Sequence, residues 1–284
     1  MKFGFVTCVE LGLRCMEEIY AAGGRLDVVI TLKDELARKK SGRTYVDDIC
    51  QANGIDVLKI RNINDEEAVR AVRAGGIDWL FIIGWSQIAR EELLAAPRKG
   101  VLGMHPTLLP VGRGRAAIPW AILKRLPETG VTLFRLASGV DTGPILAQER
   151  IPLAPNETAT NLYARVVAAH QRLMRRAWPD LVNDRLRPIP QDEALATEWP
   201  GRTPEDGRLN RAMTLEEVDR LVRATTRPYP GAFWDDHDKR IRIWRGKFAD
   251  PATASSPNAL RLEFQDGFYD ALDFEIEPLC ANEA

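Results

Sequence analysis

The first hundred residues alternate short, nearly continuous apolar runs with segments of helical character. The apolar runs predict strands at residues 3–9, 26–31, 56–59 and 79–83. The segments between them predict helices at residues 11–22, 47–53 and 65–74, and the alternation continues through residues 91–96. Strands that are apolar along their whole length are typical of a parallel sheet covered on both faces. The pattern therefore predicts a doubly wound α/β sheet of the Rossmann type. Because no G-x-G-x-x-G follows the first strand, a nicotinamide dinucleotide is not indicated.

The second half of the chain changes character. Residues 156–178 give the strongest helix pattern, and His170 within it is interpreted as a structural or surface histidine. Residues 185–201 contain three prolines and are predicted to be a linker. Beyond the linker, residues 240–244 and 260–264 alternate apolar and polar side chains, as half-buried strands do. We therefore expect a small open β barrel after the α/β sheet.

Composition excludes several classes of protein. The chain has 284 residues, of which 45% are hydrophobic and 28% charged, and its net charge is −1. These values predict two globular domains without the broad basic surface that nucleic-acid binding exploits. The four cysteines show neither C-x-x-C spacing nor clustering with the three histidines, which predicts reduced thiols and no metal site. Without a signal peptide or an apolar stretch long enough to cross a bilayer, the chain is expected to be cytoplasmic, with no membrane partner.

The segment of residues 100–148 carries the residues best suited to chemistry. His105 ends an apolar run, and Pro106 disfavours helical geometry at the histidine, so the imidazole is predicted to lie at the carboxyl end of a strand. Asp141 also follows an apolar segment and is predicted to rise from a neighbouring strand end. A carboxylate beside an imidazole suits proton transfer near neutral pH. The alternative is a histidine that is solvated or satisfied in the core, together with an ordinary turn at residues 141–143.

The motifs around these two residues resemble a known family. Residues 105–120 (HPTLLPVGRGRAAIPW), 128–134 (ETGVTLF) and 139–148 (GVDTGPILAQ) resemble the N10-formyltetrahydrofolate-dependent formyltransferases, a superfamily that includes methionyl-tRNA formyltransferases. Residues 202–210 (RTPEDGRLN) and 221–234 (LVRATTRPYPGAFW) resemble the branch that formylates nucleotide-linked amino sugars. The resemblance implies a Rossmann-like formyltransferase domain at residues 1–190 and a smaller OB-like β domain at residues 200–284. N10-formyltetrahydrofolate is the co-substrate that it implies.

The resemblance also implies roles for individual residues. His105 would accept a proton from the attacking amine, and Asp141 would orient the imidazole. The folate pocket would be lined by two loops, made of Gly84, Trp85, Ser86, Gln87 and Ile88, and of Ser138, Gly139, Val140 and Asp141. The residues expected to contact the acceptor substrate are Thr107, Arg113 and Arg115. Arg113 and Arg115 carry two guanidiniums near His105, a pair suited to bidentate binding of a diphosphate.

One position departs from the family pattern. The family places an asparagine two residues before the histidine, where this chain has Gly103. That amide helps to hold the oxyanion of the tetrahedral intermediate, and loss of such a donor costs on the order of 100- to 1000-fold in rate. Three explanations stay open: a substitute donor, a slow enzyme, or a protein that binds without transferring formyl. The candidate substitutes are Ser86, Gln87, Thr107 and a backbone N–H.

Three classes of function follow. The sequence favours a formyltransferase acting on a small-molecule primary amine, most simply that of a nucleotide-linked amino sugar. The alternatives are a methionyl-tRNA formyltransferase and a catalytically impaired folate- or nucleotide-binding homologue. A homodimer is compatible with all three.

Overall fold

A computed structural model describes residues 1–37, 42–250, 252 and 258–279, which form two compact units. The first unit comprises Met1–Gly114, Glu128–Pro152 and Arg165–Trp199. The second comprises Arg115–Pro127, Leu153–Ala164 and the described residues from Pro200 onward. Two short segments inside the predicted first domain, residues 115–127 and 153–164, therefore cluster with the second unit.

The strands in chain order are β1 (Phe3–Val6), β2 (Val28–Leu32), β3 (Val57–Ile60), β4 (Trp79–Ile83), β5 (Gly100–His105), β6 (Arg113–Gly114), β7 (Glu128–Arg135), β8 (Ile145–Pro152), β9 (Glu198–Trp199), β10 (Ala232–Asp236), β11 (Lys239–Ala249), β12 (Leu260–Phe264) and β13 (Gly267–Pro278). The α-helices are α1 (Glu10–Ala21), α2 (Asp34–Ala37), α3 (Asp47–Ala52), α4 (Glu66–Ala74), α5 (Glu91–Leu94), α6 (Ala117–Leu123), α7 (Ala159–Val182) and α8 (Leu215–Thr225).

The first unit is built on a seven-stranded sheet in the order β3-β2-β1-β4-β5-β7-β8. The first five strands in this order, from β3 at the edge to β5, are parallel to one another. Strand β7 runs antiparallel to β5, and β8 runs antiparallel to β7. The predicted Rossmann-like α/β sheet is confirmed, and β4 begins and ends where the sequence predicts. The first strand is shorter than predicted, because it stops at Val6 and α1 begins at Glu10.

Apolar side chains cover both faces of this sheet. On one face, Val6, Leu80 and Ile82 join a buried cluster with Val69 and Val72 of α4. On the other face lie Phe3, Phe5 and Phe81, and the ring centroid of Trp178 in α7 is 4.6 Å from that of Phe3. This double burial explains why the strands are apolar at consecutive positions rather than at alternate ones.

The second unit contains a four-stranded antiparallel sheet in the order β10-β11-β13-β12. Val218 and Val222 of α8 share a buried cluster with Ile241, Ile243 and Tyr269 of the sheet. The alternation predicted for residues 240–244 corresponds to this half-buried sheet, and a smaller carboxyl-terminal β domain is confirmed. Within the described residues, none of the helices has the length and apolar character needed to span a bilayer.

Candidate active site

His105 is the last residue of β5, at the carboxyl edge of the parallel part of the sheet, as predicted. Its side chain is largely buried, with 9% of the residue exposed. The Nε2 atom lies 2.8 Å from the carbonyl oxygen of Gly112, and the Nδ1 atom lies 3.5 Å from Oδ2 of Asp141. Both neighbours accept hydrogen bonds. A neutral imidazole has one N–H and can donate to one of them, whereas the doubly protonated ring can donate to both.

Two side chains that sequence reasoning missed hold the loop after His105. The Thr132 hydroxyl donates to the carbonyl oxygen of Thr107 at 2.7 Å and accepts the N–H of Leu109 at 3.1 Å. Gln148 Nε2 donates to the carbonyl oxygen of Leu109 at 2.8 Å. Thr132 is paired with His105 in the β5–β7 register and with Gln148 in the β7–β8 register. Strand pairing thus places the polar side chains of Thr132 and Gln148 in line with His105 across three strands. The sequence alone does not predict this register.

Asp141 meets His105 by a different route from the one predicted. Since β7 is antiparallel to β5, its carboxyl end at Arg135 is paired with Leu102 and lies away from His105. The loop of residues 136–144 therefore has to return along the sheet to bring the carboxylate back. The expected pair is present, but the idea that both residues rise from equivalent strand ends is wrong.

The returning loop is held on both sides of the aspartate. Asp141 Oδ2 accepts the N–H of Gly114 at 2.9 Å. Gln191 Nε2 donates to the carbonyl oxygens of Asp141 and Gly143, both at 2.7 Å. The backbone of Asp141 is left-handed, with φ of 54°, a conformation that aspartate and asparagine tolerate better than most residues. Gln191 lies in the segment predicted to be a linker, and no local sequence signal points to its role.

The predicted linker also supports the loop that faces His105. Trp199 of β9 pairs with Gly114 of β6, and the Thr197 hydroxyl accepts the N–H of Gly112 at 2.9 Å. Gly112 has φ of +76°, and a Cβ at this position would be 2.7 Å from the Trp199 ring. The carbonyl that faces His105 is therefore fixed by contacts that only glycine allows here.

Gly103 lies two residues before His105, on the same face of β5. A Cβ at Gly103 would be 2.9 Å from Cδ2 of Leu136 and 3.2 Å from Cε1 of Phe134. The space beside Gly103 is therefore occupied by apolar side chains.

Two of the predicted substitute donors differ in availability. Gln87 is already used, because Oε1 accepts the N–H of Ile63 at 2.8 Å and Nε2 donates to the carbonyl oxygen of Arg61 at 3.0 Å. The Thr107 hydroxyl is buried and has no hydrogen-bond partner among the described residues.

The predicted folate loops have contrasting surfaces. Residues 84–88 directly follow β4, whose last residue pairs with Met104 beside His105. Trp85 packs on Val9 and Leu32, and its Nε1 is buried without a partner within the described part of the chain. Residues 138–140 are exposed. Buried donors without partners suit a ligand rich in acceptors, as a folate is, and these residues remain predicted folate contacts.

The Arg113 guanidinium is not free to clamp a diphosphate, contrary to the prediction. Arg113 is 4% exposed. Its Nε and Nη2 donate to Gln191 Oε1 at 3.1 and 2.9 Å, and its Nη1 and Nη2 donate to the Glu193 carboxylate at 2.8 and 2.7 Å. The hydrogen bond to Glu193 is the main reason that the pKa of Arg113 is raised, and it likewise lowers the pKa of Glu193. Arg115, by contrast, is exposed and belongs to the second unit.

His170 is fully buried in α7, as a structural histidine would be. Its Nδ1 lies 2.8 Å from the carbonyl oxygen of Val166, and Nε2 has no partner in the described residues. Burial lowers the pKa of His170 to about 4, and the charge of His105 contributes in the same direction. Among the described residues, no cluster of three or more histidine, cysteine, aspartate or glutamate side chains has metal-binding geometry.

Comparison with known proteins identifies the family. The pattern described as "Formyl transferase" matches residues 16–178, and the pattern "Formyl transferase, C-terminal domain" matches residues 202–267. A methionyl-tRNA formyltransferase of Acidithiobacillus ferrooxidans is 32% identical over 216 residues, which span 76% of this chain and 69% of that protein. WlaRD, a sugar 3N-formyl transferase solved with dTDP and 5-N-formyl-THF, has a TM-score of 0.69 at 18% identity, covering 100% of this chain and 99% of that one. HypX from Aquifex aeolicus, solved with tetrahydrofolic acid, has a TM-score of 0.71 at 17% identity, covering 98% of this chain and 46% of that one. The chain therefore belongs to the formyl transferase family, whose enzymes transfer a formyl group from N10-formyltetrahydrofolate.

Proposed function

We propose that this chain transfers the formyl group of N10-formyltetrahydrofolate to the primary amine of a nucleotide-linked amino sugar. The observation that carries the chemistry is the placement of His105 between the Asp141 carboxylate and the Gly112 carbonyl oxygen. An imidazole held in this way is a proton acceptor whose charged form has a partner at each nitrogen.

The reaction follows from that arrangement. The unprotonated amine donates to Nε2 of His105, in the tautomer whose Nδ1–H faces Asp141, and attacks the formyl carbon. The new N–C bond forms as a proton passes from the amine to His105. The bond from the formyl carbon to the folate nitrogen then breaks, and the proton moves from His105 to that nitrogen. Asp141 stabilises the imidazolium, and binding both reactants together supplies much of the acceleration.

Thr107 is the residue that we assign to the task of the missing asparagine. Its buried hydroxyl lacks a hydrogen-bond partner among the described residues and follows His105 by two positions. A hydroxyl can donate to the oxyanion that develops on the formyl group. Replacing Thr107 by valine should slow transfer by about 100-fold, while Thr107→Ser keeps the donor and most of the rate. Equal rates in the two variants contradict this assignment.

The acceptor is proposed from the net charge of the chain and from its likeness to WlaRD. A net charge of −1 gives the chain no general attraction for the phosphates of tRNA. WlaRD supports a nucleotide sugar, since it aligns along the whole chain and its structure contains dTDP. The second candidate acceptor is methionyl-tRNA, because the relative from Acidithiobacillus ferrooxidans carries that activity in its name.

The deciding experiment is single-turnover release of tetrahydrofolate from N10-formyltetrahydrofolate. Amino sugars linked to UDP, GDP and dTDP are compared with methionyl-tRNA, and His105→Ala serves as the inactive control. Release that requires a nucleotide sugar and is lost in His105→Ala supports the proposal. Release only with methionyl-tRNA refutes the sugar acceptor. Turnover retained by His105→Ala refutes the role of the histidine.

A further inference from the structure

A cluster of positive side chains surrounds Trp120 in the second unit. Helix α6 places Lys124 one turn after Trp120, with Nζ 5.4 Å from the centroid of the indole ring. Arg202 approaches the same ring, with Cζ 5.1 Å from the centroid. The indole is fixed in place because its Nε1 donates to the carbonyl oxygen of Pro200 at 2.8 Å.

Arg115 lies beside Gly201, the residue that precedes Arg202. A Cβ at Gly201 would be 3.5 Å from Cδ of Arg115 and 3.7 Å from its Nη1. The side chain of Arg115 thus runs along the backbone that carries Arg202. We refer to Arg115, Trp120, Lys124 and Arg202 as the Trp120 cluster.

The positive charges of this cluster are only partly compensated by the described residues. Within the described residues, none of its three cations forms an ion pair with a carboxylate. Arg202 does donate through Nη2 to a backbone oxygen, that of Asp206, at 2.7 Å. Burial lowers the pKa of Arg202, and the charge of Asp206 offsets only part of that effect. A partly desolvated guanidinium without a carboxylate is electrostatically incomplete.

A second aromatic ring in the same unit, that of Phe233, has cations over it that are neutralised by carboxylates. Phe233 also has two cations over it, Arg240 at 3.9 Å and Arg208 at 4.7 Å from its centroid. Both arginines are neutralised there, since each pairs with Asp235 and with Glu205. The cations at Phe233 are therefore neutralised by carboxylates of the protein, whereas the cations of the Trp120 cluster have no such carboxylate in the described part of the chain.

We propose that the Trp120 cluster binds the phosphate oxygens of a nucleoside diphosphate. Guanidinium groups bind phosphate bidentately, and lysine adds a mobile point charge. Because two cations already lie over the indole, the cluster presents charge and not an open aromatic face, so it recognises phosphate in preference to a base. The inference rests on the proposed function only in taking the nucleotide to be part of the acceptor.

Calorimetric titration of the full chain tests the proposal, with inorganic pyrophosphate, UDP and dTDP as probes. The test variant is the double substitution Lys124→Gln and Arg202→Gln. The matched control is Arg240→Gln, which removes one cation from the ion-paired Phe233 site. We expect the native chain to bind all three probes and the double variant to bind at least tenfold more weakly. The control should bind within twofold of native, and pyrophosphate should raise the unfolding temperature of native and control alone.

Four results would overturn the proposal, three from binding and one from turnover. The first is the absence of binding by the native chain at millimolar probe concentrations. The second is equal weakening in the test and control variants. The third is binding of unmodified tRNA, lost in the double variant, without binding of pyrophosphate or UDP, which would assign the cluster to nucleic-acid phosphates. Failure of tetrahydrofolate release with nucleotide binding intact refutes the proposed function and leaves the cluster standing. If the double variant turns over a nucleotide sugar with an unchanged KM, the proposed function stands and the role of the Trp120 cluster is refuted.

Discussion

Replacing Asp141 by asparagine or by alanine separates its charge from its structural role. Asparagine keeps an oxygen that can accept the Gly114 N–H, now at 2.9 Å from Oδ2, and it tolerates the φ of 54°. Alanine removes the acceptor and is strained in the left-handed region. Both substitutions remove the negative charge that lies 3.5 Å from His105 Nδ1.

The expected magnitudes follow from these contacts. Two unit charges 3.5 Å apart attract by about 1 kcal/mol in water and by about 5 kcal/mol at an effective dielectric constant near 20. The side chains of His105 and Asp141 are 11% and 16% exposed, so an intermediate value applies. Losing that attraction for the imidazolium should slow formyl transfer by about 10- to 10³-fold in both variants. Stability should differ: asparagine lowers the free energy of unfolding by about 1 kcal/mol and alanine by about 2–4 kcal/mol.

The assay pairs single-turnover release of tetrahydrofolate with urea denaturation of the same preparations. Asp141→Asn should be nearly as stable as the native chain and as slow as Asp141→Ala. A rate for Asp141→Asn within threefold of native refutes the argument, because the charge then makes no contribution to transfer. A loss of stability as large as that of alanine would show instead that the carboxylate is needed to hold the loop.

Other substitutions test neighbouring contacts. Gly103→Asn adds a Cβ 2.9 Å from Leu136 and should lower the free energy of unfolding in urea by about 1–3 kcal/mol. Adding Leu136→Ala should recover part of that loss, and no recovery would show that Leu136 is not the obstacle. The folded pKa of His170, about 4, is below its unfolded value near 6.5, so the unfolded chain binds the extra proton and stability falls as pH decreases from about 6.5 to about 4. His170→Gln should remove this contribution, at most about 1.4 kcal/mol per pH unit, and an unchanged pH dependence of unfolding in urea contradicts the assignment. Arg113→Gln should cost about 1–3 kcal/mol in chemical denaturation, whereas Glu193→Gln should cost less than that because Glu193 is 68% exposed; the reverse order would refute the reasoning.

The α/β sheet was predictable because its strands are buried on both faces. Apolar runs such as those of β2 and β4 occur between helical segments, and that alternation is a local property of the sequence. The reversal at β7 was not predictable in this way. Its residues are nearly all buried, as those of a parallel strand are, and direction depends on which neighbour it pairs with.

Site residues that lie in short motifs could be predicted from the sequence. Residues that contact the site from distant segments could not. His105 and Asp141 stand out in short motifs with strong turn signals. Gln191 contacts the Asp141 loop from a position in a proline-rich segment that has the composition of a linker. Contacts between residues far apart in sequence depend on the assembled fold, so no local pattern marks the glutamine.

The role of Arg113 follows from this network. Its guanidinium donates to Gln191 Oε1, and the amide nitrogen of Gln191 donates to the carbonyl oxygens of Asp141 and Gly143. Because Arg113 occupies the glutamine oxygen, the amide nitrogen is fixed facing the loop, and the loop in turn holds the carboxylate near His105. Arg113 is thus a positioning residue that acts on the imidazole through two intervening residues, Gln191 and Asp141. A sequence that alternates glycine and arginine before α6 therefore uses its first arginine to shape the site, and only the second, Arg115, has its charge available for a ligand.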